Sequence, residues 1–192
     1  SQIGSPLSAS FYPLNVIFII FPTSYAAILY LFFHFLLAAV FTFLLARSFN
    51  LTKLSSIAAG IFFAFSNIFL LHLTAGHLTM IAAFAYFPLL FLAIRKILHA
   101  DNFKWIVLAA ISTTFMFFLY LTIFYYSVIF AIAYLLFLSL QNKNNRPTRA
   151  VFLRLILTGL ITLGFSSIAL FPILEFNSFS NRSALTLEEV AV

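Results

Sequence analysis

The chain has 192 residues, of which 64% are hydrophobic and only 7% charged, with 28 phenylalanines and a formal charge of +6. An average soluble domain carries about one quarter charged residues, so the composition excludes an ordinary soluble globule and points to a bilayer. The Lys and Arg residues sit singly or in short groups between apolar runs, which excludes the continuous basic face of a nucleic-acid binder, and the absence of cysteine removes disulfides, thiolate nucleophiles and cysteine metal sites together.

Residues 1–23 read as an external loop. The opening SQIGSPLSASFYP has neither the basic start nor the apolar core of a signal peptide, and with Ser1 at its head the chain reads as an internal piece of a longer membrane protein. Leu14 to Phe21 is apolar but bounded by Pro13 and Pro22. It is too short to span, so it is expected to lie along the outer interface or to re-enter shallowly.

A helix crossing a hydrocarbon core of ~30 Å needs ~20 apolar residues. Ser24 to Ala46 and Thr79 to Leu98 have that length, Leu54 to Leu71 is slightly shorter and Val151 to Pro172 slightly longer. Phe103 to Leu140 as one helix would run ~57 Å, so two spans meeting near Tyr120, Leu121 and Thr122 fit better. Residues 24–173 are therefore expected to form an all-α, polytopic bundle of about six spans, with 174–192 an external segment. Within the third span Pro88 removes a backbone donor and should kink the helix. Gln141 to Arg149, QNKNNRPTR, reads as a solvated cytoplasmic loop.

Charge supports the same count. Arg47 and Lys53 follow the first span, Arg95, Lys96 and Lys104 the third, and Lys143, Arg146, Arg149 and Arg154 the fifth. Six spans put all of these on one side and Arg182 alone on the other, as the positive-inside rule demands. Both ends of the chain then lie outside the cytoplasm.

The polar residues are few. LLHLTAGHLTMI, Leu70 to Ile81, carries His72 and His77 around Gly76 on the outer side. A spacing of five sets two side chains ~140° apart on a helix, Gly76 is expected to break the helix, and no acid or cysteine stands nearby. No metal is assigned on those grounds; an interfacial hairpin and a substrate-facing loop both remain open. His34 falls in mid-span, where an ionisable group faces a cavity or a partner helix. Asp101 reads as a solvated charge or helix cap beside Lys96 and Lys104. Glu175 follows the last span seven residues before Arg182, and the two could clamp a headgroup or pair with each other. No serine-histidine-acid set and no glycine-rich phosphate loop is readable.

Several segments in series resemble the YfhO family of bacterial membrane proteins, within the GT-C class of polytopic glycosyltransferases. GSPLSASFYPLNVIFIIFP resembles an external stretch with a Tyr-Pro pair, and LFFHFLLAAVFTFLLAR a span with an early His and a terminal Arg. GIFFAFSNIFLLHLTAGHLTMIAAFAYFPLLFLAIRKI resembles a block with a Phe-Ser pair, an outer-loop His and an aromatic-x-Pro kink, and FPILEFNSFSNRSALT a Pro-x-x-Glu followed by Ser-x-Arg. The turn FLYLTIFYYS departs from the Gly-His or Gln-containing stretch of relatives.

The resemblance implies a GT-C-like bundle in the cell membrane that moves a sugar from a polyprenyl-phosphate donor to a cell-envelope glycan or polymer outside the cytoplasm. It implies Arg182 as the phosphate contact, His72 and His77 as polar contacts to sugar or phosphate, and Glu175 as a contact to a hydroxyl or as the group placing Arg182, with His34 a further substrate-side candidate. The family's catalytic acid would precede Ser1, since residues 1–100 hold no acid, so the chain alone is expected to be inactive. Membrane lipids are the other expected partners, and nucleic acid is not one; no cofactor is assigned. A transporter or flippase for a lipid-linked glycan and a non-catalytic assembly subunit are the rival readings.

Overall fold

Backbone amides in an apolar chain must find partners within it, and among the described residues they do so in helices, with no strand. The computed structural model describes residues 9–99, 102–141 and 149–178. A 3-10 turn, Pro13–Val16, runs into the one-turn helix α1, Ile17–Ile20, followed by α2, Thr23–Ser48. Then come α3, Lys53–Ala64, α4, Asn67–Thr74, α5, Leu78–Ala85, and α6, Phe87–His99. The last three are α7, Phe103–Leu119, α8, Leu121–Gln141, and α9, Arg149–Ser178.

The boundaries follow local chemistry. Thr52 caps α3 by accepting from the Ser55 amide at 3.2 Å, and Asn102 caps α7 by accepting from the Lys104 amide at 3.0 Å. The long apolar run from Phe103 breaks at Tyr120, whose extended backbone (φ −159, ψ 106) separates α7 from α8, as its length requires. Pro88 acts one turn upstream of itself: with no amide to offer the Phe84 carbonyl, it leaves the chain to break at Tyr86, between α5 and α6. Two features differ from the sequence reading. Ser66 takes an extended conformation and divides the second apolar run into α3 and α4. Pro172 does not end the last helix, which continues through it to Ser178 and carries Glu175 with it.

Five stretches are long and apolar enough to cross a membrane: Thr23–Ser48, Lys53–Thr74, Leu78–Leu98, Leu121–Leu138 and Val151–Glu175. The apolar helix α7, Phe103–Leu119, is shorter at 17 residues. Leu78–Leu98 is the most enclosed of the five and forms the centre of the core with α7, through Ala82, Ala93, Ile97, Ala109 and Met116. On one side α2 packs against α5 and α6 and carries α3 on its outer surface; on the other, α7 packs against α9.

The contact of α2 with α3 is made by small residues four apart. Ser56, Gly60 and Ala64, four apart along α3, are buried, and Ala38 and Ala39 of α2 lie against Ala64 and Gly60. A methyl group placed on Gly60 would lie 2.6 Å from the Ala39 carbonyl oxygen, so the two backbones approach as closely as glycine permits. This is the small-residue seam of helices that associate where no water drives them together.

Cross-helix bonds fix one end of the bundle. The Arg95 Nε donates to the Ser48 carbonyl at 3.3 Å and Arg154 Nη1 donates to the Ile97 carbonyl at 3.2 Å, joining the C-termini of α2 and α6 to the start of α9. Arg95 also lies over the Phe49 ring at 4.1 Å. Every described Lys and Arg, namely Arg47, Lys53, Arg95, Lys96, Lys104, Arg149 and Arg154, falls within about two turns of a helix terminus at this end.

Candidate functional site

The turn between α4 and α5 is built by Gly76. At φ +72 it takes the left-handed conformation that ends a helix. The Gly76 amide donates to the Leu73 carbonyl at 3.1 Å and the His77 amide to the His72 carbonyl at 2.9 Å. These are the two bonds of a Schellman motif, in which the third residue from the helix end meets the second residue beyond it. Those two positions are occupied here by His72 and His77. The angular separation expected of a five-residue spacing on a continuous helix therefore does not apply, and the two rings are hydrogen-bonded to each other through their Nδ1 atoms at 3.3 Å. His77 is exposed, whereas His72 is half-buried and stacks on Phe84 at 6.0 Å between ring centres with planes 19° apart. The pair stands at the end of the bundle opposite the described cations.

His34 is fully buried on α2, and the hydrogen-bonded network it belongs to draws on three segments. Its Nδ1 lies 2.6 Å from the Tyr30 carbonyl, which can only accept, so Nδ1 carries the proton. In the neutral ring Nε2 is then the acceptor, and the Tyr12 hydroxyl donates to it at 2.7 Å. The Tyr86 hydroxyl in turn donates to the Tyr12 oxygen at 2.7 Å. Burial first, and the neighbouring Tyr86 oxygen second, raise the Tyr12 hydroxyl above its ordinary pKa, which keeps it a donor. Tyr12 is 2% exposed and packs edge-on to Tyr30, Tyr86 and Phe115. The N-terminal segment thus enters the bundle through Tyr12, while Ile19 and Ile20 remain exposed beside it.

Glu175 is exposed near the end of α9. It shares an end of the bundle with the His72–His77 turn but not a layer, because α5, α6 and α7 intervene in the packing order. Arg182 lies outside the described residues, as does Asp101. The structure therefore joins His72 to His77, gives His34 a separate buried setting, and leaves Glu175 apart from both. Among the described residues no group of three or more His, Cys, Asp or Glu could hold a metal ion.

Sequence reasoning missed Tyr12, Tyr86 and Phe84. The signal for the tyrosines was their position one residue before Pro13 and two before Pro88, where helices start or break and a side chain can turn inward.

A cavity of about 360 Å³ between α6, α7, α8 and α9 is lined by residues including Leu90, Ile94, Phe124 and Leu155. The hydroxyls on its wall turn back to their own helices: Thr113 donates to Ala109 at 2.8 Å, Thr158 to Arg154 at 2.9 Å and Thr162 to Thr158 at 2.9 Å. The wall is consequently apolar.

Comparison with protein-family models, with curated proteins and with solved structures finds no match, so the likeness to the YfhO family rests on the sequence blocks alone.

Proposed function

We propose that the chain is a six-span part of an integral membrane glycosyltransferase of GT-C type. It receives a sugar from a polyprenyl-phosphate donor and passes it to a cell-envelope acceptor outside the cytoplasm. The observation that carries this reading is the His72–His77 pair, displayed on a Schellman turn at the end of an apolar bundle opposite every described Lys and Arg. By the positive-inside rule that end is the outer one. A lipid-linked sugar keeps its tail in the bilayer and its head at the surface, where donors must meet the negative charge that grows on the leaving phosphate. His72 and His77 would contact the donor's head group, while Glu175, set apart from them across α5, α6 and α7, would contact a hydroxyl of the acceptor or Arg182, with Arg182 as the phosphate contact.

A flippase or transporter wants polar groups at mid-membrane facing a pathway. Among the described residues His34 is the one Asp, Glu, Lys, Arg or His in the middle of a span, and both of its nitrogens are engaged in bonds that hold the fold together. That weighs against transport. For the full-length protein in its membrane, His72→Ala and His77→Ala should each lower sugar transfer about tenfold or more at unchanged membrane abundance. Full activity in the double variant would refute the assignment.

A further inference from the structure

In the His72–His77 pair one imidazole N–H donates to the other ring's Nδ1 at 3.3 Å, and a metal ion taking the place of that bridging proton in tetrahedral geometry would leave the two nitrogens at the same separation. Two imidazole nitrogens at ~2.0–2.1 Å from one tetrahedral Zn²⁺ lie about 3.3 Å from each other. At a right angle, as in square-planar or octahedral coordination, the same bond lengths bring them to about 2.9 Å. We propose that His72 and His77 form a two-imidazole chelate for Zn²⁺, with oxygen donors from solvent in the two remaining tetrahedral positions.

The surroundings support a cation at this point. Nδ1 is the ring nitrogen next to the Cβ-bearing carbon, so its place follows closely from the backbone, and the Schellman bonds fix the backbone on both sides. Phe84 stacks on His72 and sets the plane of that ring. His72 stands in the last turn of α4, where helix carbonyls favour positive charge. None of the described Lys or Arg lies at this end to repel it. His77 is exposed, so a metal can enter and leave. Imidazoles without a carboxylate suit Zn²⁺ and its late first-row neighbours and not Mg²⁺ or Ca²⁺. With two protein ligands the site is an exchangeable one, unlike the closed four-ligand sites of structural zinc. The claim concerns binding alone and is independent of sugar transfer.

The test is a Zn²⁺ titration by calorimetry on the full-length protein in detergent, purified without a polyhistidine tag, with Co²⁺ absorption reporting coordination geometry. One saturable Zn²⁺ per chain is expected, with a tetrahedral Co²⁺ spectrum and no competition from Mg²⁺. His72→Ala and His77→Ala should each weaken Zn²⁺ binding at least about tenfold. The deciding pair leaves both imidazoles in place. Gly76→Asn tolerates the left-handed conformation and should keep wild-type affinity, whereas Gly76→Val opposes it and should lose affinity to the same degree as a missing ligand. Where Gly76→Val does not fold, the two alanine variants decide alone. Zn²⁺ binding that survives removal of both histidines, or an octahedral Co²⁺ spectrum, would overturn the proposal, as would equal affinity in folded Gly76→Val and Gly76→Asn.

Discussion

Tyr12 shows how far one hydroxyl can tie a chain together, since it bonds at once to a helix 22 residues away and to a helix break 74 residues away. Tyr12→Phe keeps the ring but leaves His34 Nε2 without a donor and the Tyr86 hydroxyl without an acceptor, both buried. It should destabilise the protein by about 1–3 kcal/mol, read as a lowered thermal unfolding midpoint in detergent. Tyr25→Phe is the matched control: Tyr25 is 67% exposed, and the midpoint should not move. At this scale the sequence was legible only in part. An isolated His in mid-span announced a need for a partner, as His34 did, but neither Tyr12 as that partner nor Tyr86 behind it could be read, because separations of 22 residues from His34 to Tyr12 and 74 from Tyr12 to Tyr86 carry no period. The His72–His77 contact was hidden for the opposite reason. A helical period applied to the pair gives the wrong angle once Gly76 leaves the helix, and the Schellman geometry is what restores the contact.

At the scale of elements, the strongest constraint is the seam between α2 and α3. Ala is the better helix former by about 1 kcal/mol, so Gly60→Ala would stabilise an isolated helix. Here the added methyl would meet the Ala39 carbonyl oxygen at 2.6 Å, and a backbone has to move. The expected net effect is a loss of about 1–3 kcal/mol. Gly159→Ala, where the new methyl meets nothing within 4 Å, should be neutral or stabilising. Opposite signs for the two substitutions, measured by chemical unfolding in the same detergent, are the check. The Ser56, Gly60, Ala64 spacing was present in the sequence, yet the apolar run around it read only as a span. The break at Tyr120 was legible because span length alone forced it. The break at Ser66 was not, because Lys53–Thr74 is already a span of acceptable length and needs no division.

For the whole molecule, composition settled that the chain is a set of apolar helices, and the positions of the cations foretold which helix ends gather together. The structure adds the bonds from Arg95 and Arg154 that hold that basic end, which no pattern of charges predicts. The account depends on these two ends lying on opposite sides of a membrane, with the His72–His77 turn outside. These 192 residues contain no cysteine, so single thiols can be placed among them in a full-length protein with any cysteine elsewhere replaced by serine, and probed in intact cells with a membrane-impermeant maleimide. Ala75→Cys should react from outside, whereas Leu51→Cys and Lys104→Cys should react only after the membrane is opened. Labelling of Ala75→Cys and Leu51→Cys from the same side, or the reverse of this pattern, would contradict the account.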